Sequence, residues 1–229
     1  MSDYVIDPPP LPSLPISGRA ERFPLRRVFC VGRNYAAHVR EMGNDLREPP
    51  FFFDKPADAV VESGAELPYP QATADLHHEV ELVVAIGRGG SGIAAEAALS
   101  HIWGACVGVD LTRRDLQADA KAKGRPWDMA KGFDRSAPMA ALVPLADAGP
   151  LDAGRIWLSV DGAMKQDADL SEMIWPVADC IAHLSSLVEL APGDLIMTGT
   201  PAGVGPLAPG AQVRAGIGNL PELDFRIAP

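Results

Sequence analysis

An apolar run at residues 76–86 has the character of a buried strand, but it contains two glutamates, Glu79 and Glu81. Side chains two positions apart on a strand point to the same face. The two carboxylates should therefore project together from an apolar element, where mutual repulsion and desolvation both disfavour their charges. A positive group between them is expected. A hard divalent cation is the simplest candidate, because such ions prefer oxygen ligands.

A second apolar run, residues 102–109, ends at an acidic residue, Asp110. An acid at the end of a buried strand is a common place to hold a ligand. Together with Glu79 and Glu81 it would form an oxygen-only half-shell that leaves positions for water or substrate. The alternative is that one glutamate faces solvent on an edge strand while the other pairs with an arginine.

The rest of the pattern predicts one mixed domain rich in β-structure. Asp161-Gly162 is a hairpin turn signal between two strand-like segments. Thr112 is predicted to cap a helix that runs to about Lys123. A second helix should follow Pro176, and its apolar stripe is formed by Val177, Ile181, Leu184, Leu187 and Val188. Residues 1–25 are predicted to form a proline-rich arm and residues 26–229 a single domain.

Composition limits the classes of function. The chain has 229 residues, of which 47% are hydrophobic and 22% charged, as is ordinary for a soluble globular protein. Its formal net charge of −10 argues against binding to nucleic acid or to an anionic membrane surface, but not against an anionic substrate. Cys30, Cys106 and Cys180 are interpreted as reduced core thiols of a cytoplasmic protein. Neither a signal peptide nor a membrane-spanning stretch is visible.

His38 is the leading candidate for a general base, because an unperturbed histidine exchanges a proton near neutral pH. Glu41 lies three residues further on and would share a helical face with it, so its carboxylate could orient the imidazole. The alternative is an exposed histidine–glutamate pair of little consequence. The polar stretch at residues 43–50 is suited to be a lid over a site.

Three further positions offer binding chemistry. Lys131, flanked by apolar residues and a glycine, could point into a pocket and bind a carboxylate or an enolate; the alternative is a surface lysine. Thr200 lies in a glycine-rich turn that could present backbone N–H groups to an anion, or could be an ordinary tight turn. His77 and His78 could bind zinc in another setting, but beside three carboxylates His78 is interpreted as a group that orients a glutamate.

An ordered set of short motifs resembles the fumarylacetoacetate hydrolase family between Arg27 and about Gly218. The proline-rich arm and residues 51–59 are most similar to the fumarylpyruvate hydrolase branch, and single-domain acylpyruvases and oxaloacetate decarboxylases are similar too. The motifs are Val31-Gly32-Arg33-Asn34-Tyr35 with His38, Leu76-His77-His78-Glu79-Val80-Glu81, Gly108-Val109-Asp110, Ala130-Lys131-Gly132-Phe133 and Thr198-Gly199-Thr200-Pro201-Ala202-Gly203-Val204-Gly205.

This resemblance implies an α+β fold, a mixed β-sandwich or β-roll with short peripheral helices, and a homodimer. It implies Mg²⁺ or Mn²⁺ as cofactor, with Ca²⁺ possible in crystals, and a small 2,4-dioxo acid as substrate. The roles it implies are metal binding by Glu79, Glu81 and Asp110, catalysis by His38, Glu41 and Lys131, and substrate binding by Arg33, Gln117, Gly199 and Thr200.

The implied reaction is hydrolysis of the C3–C4 bond of an acylpyruvate, with fumarylpyruvate as the expected substrate. His38 would deprotonate a water, the hydroxide would add to the 4-oxo carbon, and the metal and Lys131 would stabilise the departing pyruvate enolate. Decarboxylation of oxaloacetate or isomerisation of a 2-oxo diacid could use the same site. A third hypothesis is a non-catalytic protein that binds a metal or a small acid.

Overall fold

The computed structural model describes residues 4–35 and 49–229, so His38, Glu41 and most of the expected lid lie outside the described part. The strands are β1 (Ser13–Pro15), β2 (Arg22–Pro24), β3 (Arg27–Gly32), β4 (Phe51–Lys55), β5 (Val60–Glu62), β6 (Ala65–Leu67), β7 (Leu76–His78), β8 (Val80–Ile86), β9 (Ile102–Val109), β10 (Thr112–Arg113), β11 (Ala137–Met139), β12 (Val143–Pro144), β13 (Arg155–Val160), β14 (Ala163–Asp169), β15 (Asp194–Met197), β16 (Gly205–Pro206), β17 (Gln212–Ile217) and β18 (Leu223–Ile227).

The main sheet is mixed and has eight strands. Its order is β4-β3-β15-β8-β9-β11-β5, and β12 pairs with β9. All seven residues of β8 are buried, because both faces of the sheet are covered. Leu82, Val84 and Ile86 belong to one apolar cluster, and Val83 and Ala85 to the other. This double burial explains why β8, apart from Glu81, is a continuous apolar run rather than an alternating one.

A five-stranded sheet in the order β14-β13-β17-β18-β6 contributes buried side chains such as Leu158, Val213 and Phe225 to the first of these clusters. The β1–β2 pair contributes Leu14 and Phe23 to the second cluster, on the opposite face. Part of the expected arm therefore packs on the main sheet, while Tyr4, Val5, Ile6 and Leu11 remain exposed. The division into an arm and one domain stays a prediction.

The helices in the described ranges are short and peripheral. None of these helices has the length and apolar character that a bilayer crossing requires. The α-helices span Ala95–Ala98, Arg114–Ala122, Asp128–Lys131, Leu145–Ala148 and Val177–Leu187, and single 3₁₀ turns span Ala57–Ala59, Leu99–His101 and Leu170–Glu172.

Several local predictions can be compared with the structure. Asp161 and Gly162 form the turn of the β13–β14 hairpin with φ angles of 51° and 78°, as the sequence signal indicates. The capping prediction for Thr112 is wrong: Thr112 lies in β10, and the helix starts at Arg114 without a side-chain cap. Within the apolar stripe of the second helix, Val177, Ile181 and Leu184 are buried, whereas Leu187, the last residue of the helix, is 70% exposed.

Candidate metal centre and substrate pocket

Strand pairing brings Asp110 to Glu79. β8 and β9 are antiparallel, with Val80 opposite Val109, so the next pair along the ladder is Glu79 and Asp110. The Asp110 N–H donates to the Glu79 carbonyl at 2.8 Å. The predicted single strand is in fact interrupted at Glu79, between β7 and β8. This interruption places Glu79 at the edge of the ladder while Glu81 remains within it.

The carboxylates of Glu79, Glu81 and Asp110 converge. Each offers an oxygen, and the three oxygens lie within 4.8 Å of one another. All three residues are buried, with exposed fractions of 5%, 2% and 0%. Solvent exposure of either glutamate, the alternative considered from the sequence, is therefore wrong, although an arginine pair is present because Arg114 donates to Glu79 Oε1.

Two buried lysines support this acidic cluster. Lys131 Nζ donates to Glu79 Oε2 at 2.8 Å, to Asp110 Oδ2 at 2.6 Å and to Thr112 Oγ1 at 2.7 Å. Burial lowers the pKa of Lys131, but Asp110 and Glu79 more than offset burial, so its pKa is raised and the ammonium is charged. Lys55 Nζ lies 2.8 Å from Asp110 Oδ1 and donates to the carbonyls of Leu111 and Lys131.

Glu81 has a different environment from the other two acids. Its Oε2 accepts a hydrogen bond from the Gly199 N–H at 2.7 Å. Within the described ranges no lysine or arginine forms an ion pair with it. Burial raises the pKa of Glu81, and the charges of Asp110 and Glu79 raise it further. A cation beside Glu81 would neutralise this excess, and the all-oxygen donor set fits a hard divalent ion.

A cavity of about 210 Å³ opens beside the acidic cluster. It brings together most of the residues proposed from the sequence with an aromatic wall. The lining consists of Val31, Gly32, Arg33, Phe51, Phe53, Glu79, Glu81, Arg114, Gln117, Ala118, Lys121, Trp127, Lys131 and Thr200. The cavity therefore combines acidic and basic groups with aromatic rings, and Lys131 Nζ lies 5.0 Å from the centre of the Phe53 ring.

The sequence-derived substrate contacts occupy different parts of this cavity. The Arg33 guanidinium lies 5.3 Å from the centre of the Phe51 ring. Gln117 Oε1 accepts from Arg114 Nη1 at 2.5 Å, so the two side chains act as one unit on a helical face. Gly199 has a φ of 94°, and a Cβ there would lie 2.7 Å from Asn34 Cβ. Glycine is thus required for the turn that brings the Gly199 N–H to Glu81 and positions Thr200.

The two histidines beside the glutamates lie outside the acidic cluster. His77 Nε2 is 2.8 Å from Asp75 Oδ1. His78 Nδ1 is 3.0 Å from Gln166 Oε1, so its recorded partner is a glutamine rather than the expected glutamate. Burial lowers the pKa of His78 to about 4, which keeps the ring neutral.

Sequence reasoning missed Lys55, Arg114 and Gln166. Arg114 could have been found, because Arg114, Gln117 and Lys121 repeat at helical spacing and share the face that lines the cavity. Lys55 is the last residue of β4, where no comparable spacing points to the site. Gln166 carried no signal, since its partners are 34 to 88 residues away in sequence.

The packed sheets enclose a cluster of carboxylate oxygens, and a pocket adjoins this cluster. This combination indicates an enzyme whose site is able to bind a metal ion. The chain belongs to the fumarylacetoacetate hydrolase family: the profile described as "Fumarylacetoacetate (FAA) hydrolase C-terminal" matches residues 27–228. The predicted family is therefore confirmed.

Solved and curated relatives support this assignment. The crystal structure of fumarylpyruvate hydrolase from Pseudomonas aeruginosa, in complex with Mn²⁺ and pyruvate, is 50% identical, with a TM-score of 0.96 and 99% coverage of each chain. This match also confirms the predicted fold type. Mitochondrial oxaloacetate tautomerase from Arabidopsis thaliana is 41% identical over 88% of this chain and 90% of the relative. Mitochondrial oxaloacetate decarboxylase from Dictyostelium discoideum is 41% identical over 88% of this chain and 94% of the relative.

Proposed function

We propose that this protein is a hydrolase that cleaves a carbon–carbon bond of a 2,4-dioxo acid, with fumarylpyruvate as its substrate. The observation that carries the proposal is the likeness, over nearly the whole chain, to a fumarylpyruvate hydrolase whose crystal structure contains Mn²⁺ and pyruvate. Hydrolysis of an acylpyruvate at its C3–C4 bond releases pyruvate.

Glu79, Glu81 and Asp110 would hold one divalent cation, Mg²⁺ or Mn²⁺, through carboxylate oxygens. When bound, this ion would supply Lewis-acid stabilisation of the negative charge that develops on the pyruvyl fragment.

Charge balance supports an anionic substrate. Among the described residues, Lys55, Lys131 and Arg114 contact the acidic cluster and match the three carboxylates in charge. A divalent cation would make this group net positive within a protein whose formal net charge is −10. A local positive excess in a buried site favours an anionic oxo acid, although the whole chain repels anions at long range.

The chain's own side chains would divide the remaining tasks. Lys131, fixed between Glu79 and Asp110, would stabilise negative charge near the cleaved bond. Arg33, Gln117 and Thr200 line the cavity and would bind substrate oxygens. His38, oriented by Glu41, would accept a proton from water, whose oxygen adds to C4. The C3–C4 electron pair would leave with C3, which then takes up a proton.

A second candidate is decarboxylation or tautomerisation of oxaloacetate. It is favoured by the curated relatives, which are 41% identical to this chain and are an oxaloacetate tautomerase and an oxaloacetate decarboxylase. Both activities and the proposed hydrolysis require stabilisation of charge on a 2-oxo acid, so one site could support either. The acyl end of the substrate and access of water would decide between them.

The test is a substrate panel. Purified protein is stripped of metal, reloaded with Mg²⁺ or Mn²⁺, and assayed with fumarylpyruvate, acetylpyruvate and oxaloacetate. We expect metal-dependent release of pyruvate and fumarate from fumarylpyruvate, with loss of activity in His38→Ala and with metal affinity retained. Rapid consumption of oxaloacetate without turnover of either dioxo acid would replace the proposal by the second candidate. Absence of turnover with all three would favour a binding protein.

A further inference from the structure

Gln166 is the one buried residue of β14, whose other side chains are exposed or partly exposed. Its side chain lies between the strand interruption that carries Glu79 and the turn that carries Thr200. Nε2 is 2.8 Å from Thr200 Oγ1 and 2.9 Å from the Pro201 carbonyl oxygen. Oε1 is 3.1 Å from the Val80 nitrogen and 3.0 Å from His78 Nδ1.

Two backbone groups fix which end of this amide is the oxygen. A backbone N–H can only donate and a carbonyl can only accept. The atom beside the Val80 N–H must therefore be Oε1, and the atom beside the Pro201 carbonyl must be Nε2. It follows that Nε2 donates its second hydrogen to Thr200 Oγ1, and that His78 Nδ1 donates to Oε1.

This arrangement determines the direction of the Thr200 hydroxyl. Because Oγ1 accepts from Gln166, its own hydrogen remains available as a donor. No acceptor for that hydrogen is recorded in the described part of the chain. Thr200 is 4% exposed, and it lines the cavity together with Glu81 and Lys131. The free O–H of Thr200 is therefore available to an oxygen atom of a molecule in the cavity.

We propose that Gln166 is a positioning residue that keeps the Thr200 hydroxyl as a hydrogen-bond donor to an anionic oxygen of the bound 2-oxo acid. This inference rests on the proposed function for the chemical class of the ligand. Without Gln166, no N–H holds the Thr200 oxygen as an acceptor, so the hydroxyl is free to turn away from the cavity. The hydroxyl then ceases to serve the ligand, although Thr200 itself is unchanged.

A double-mutant cycle on pyruvate binding tests the proposal. Pyruvate affinity is measured by calorimetry for the wild type, Gln166→Met, Thr200→Val and the double variant, each saturated with Mn²⁺. We expect each single change to weaken binding by about 10-fold, the worth of one hydrogen bond to a charged group. The double variant should bind no more weakly than Thr200→Val, because Gln166 acts through that hydroxyl.

Leu158→Ala is the matched control. Leu158 is fully buried and lies opposite Gln166 in the β13–β14 ladder, and it is not among the residues that line the cavity. It should lower the melting temperature as much as Gln166→Met or more, and leave pyruvate affinity unchanged. Gln166→Glu retains the side-chain volume and the acceptor contacts but removes the Nε2–H donors. It replaces Gln166→Met if that variant does not fold, with the same expected loss of affinity.

Wild-type pyruvate affinity in a folded Gln166 variant would overturn the inference. Losses that multiply in the double variant, to about 100-fold, would overturn it too, because independent effects add in free energy. Pyruvate binding is measured without turnover. If no substrate of the panel is turned over but the double-mutant cycle gives the expected affinities, the proposed reaction is refuted and the role of Gln166 is supported.

Discussion

At the residue scale, the three acids of the cluster differ in how their charges are compensated. Asp110 contacts two lysines, and Glu79 contacts Lys131 and Arg114. Within residues 4–35 and 49–229, the one hydrogen bond that Glu81 accepts comes from the Gly199 N–H, and burial raises its pKa. Glu81 is therefore the acid that most needs a cation.

Glu81→Gln should stabilise the metal-free protein at neutral pH while removing its response to metal. A raised folded-state pKa means that the folded protein holds its proton at a pH where the unfolded chain has lost it. The metal-free wild type should therefore gain stability as pH falls through that pKa, and the ionised carboxylate is a penalty above it. Removal of the penalty should add about 1–3 kcal/mol to the unfolding free energy.

Thermal unfolding in a chelator and in excess Mn²⁺ measures both effects. Mn²⁺ should raise the melting temperature of the wild type but not of Glu81→Gln. Glu66→Gln, at an exposed position on β6, is the control and should behave as the wild type does. A variant that melts lower than the wild type in chelator would contradict the argument.

Lys55→Met should destabilise the protein strongly, because it leaves Asp110 buried beside fewer positive charges. The side chains of Lys55 and Asp110 are both fully buried, and removal of one partner of a buried pair costs about 3–5 kcal/mol. Saturating Mn²⁺ should restore part of this loss. Lys165→Met, at an exposed position, should change the melting temperature little, and equal melting of the two variants would refute the role of Lys55.

The sequence predicted the convergence of the acids and a pocket position for Lys131, but it did not predict Lys55 or Gln166. Spacing on a strand places Glu79 and Glu81 on one side, and a strand end is a natural place for Asp110. Lys55 and Gln166 reach the site through hydrogen bonds to residues that are 56 and 86 positions away in the sequence. These bonds depend on how distant strands pair. Such pairings leave no periodic trace near either residue.

At the element scale, the turn after Thr200 is held by close backbone packing. Gly203 has a φ of 91°, and a Cβ there would lie 2.1 Å from the Lys165 carbonyl oxygen, on the strand that carries Gln166. Gly210 has a similar φ of 83°, but a Cβ there would meet nothing within 4 Å. Substitution of the two glycines therefore distinguishes the cost of backbone strain, which both positions share, from the cost of a steric clash, which only Gly203 has.

Gly203→Ala should cost more stability than Gly210→Ala and should alone weaken pyruvate binding. Both substitutions place alanine in the left-handed region, at a cost of about 1–2 kcal/mol. Gly203→Ala adds overpacking against β14, typically about 1–3 kcal/mol, and displaces the turn from Gln166. Chemical denaturation and calorimetry with pyruvate measure the two effects. Equal losses of stability in the two variants would show that the close approach is unimportant.

The burial and pairing of individual strands explain which elements could be predicted from the sequence. Strands β8 and β9 are largely buried on both faces, so they appear as apolar runs in which Glu81 is the exception. The interruption at Glu79 could not be foreseen, because the Val80 N–H beside it donates to Gln166 Oε1, which belongs to a strand of another sheet. Thr112 resembled a helix cap locally, but pairing of β10 with β7 decided its conformation.

At the scale of the whole molecule, the N-terminal segment presents an unusual group of exposed apolar side chains. Tyr4, Val5, Ile6 and Leu11 are 69%, 102%, 76% and 68% exposed. Exposed apolar side chains grouped in one short segment are suited to contact another protein surface. The homodimer expected from the family resemblance would supply such a surface, and it stays a prediction.

Deletion of residues 2–11 should weaken the dimer and leave the fold intact. From Ser13 onward the chain pairs in β1–β2, and Leu14 is fully buried on the main sheet, so the deletion stops short of the core. Light scattering after size exclusion should give a two-chain mass for the full chain and a larger share of single chains for the deletion. Melting temperature and metal-dependent turnover at high protein concentration should be nearly unchanged, because none of the described residues of this segment, 4–11, lines the cavity. A single-chain mass for the full chain at every concentration would refute the dimer, and loss of turnover with an unchanged mass would assign the segment to the site instead.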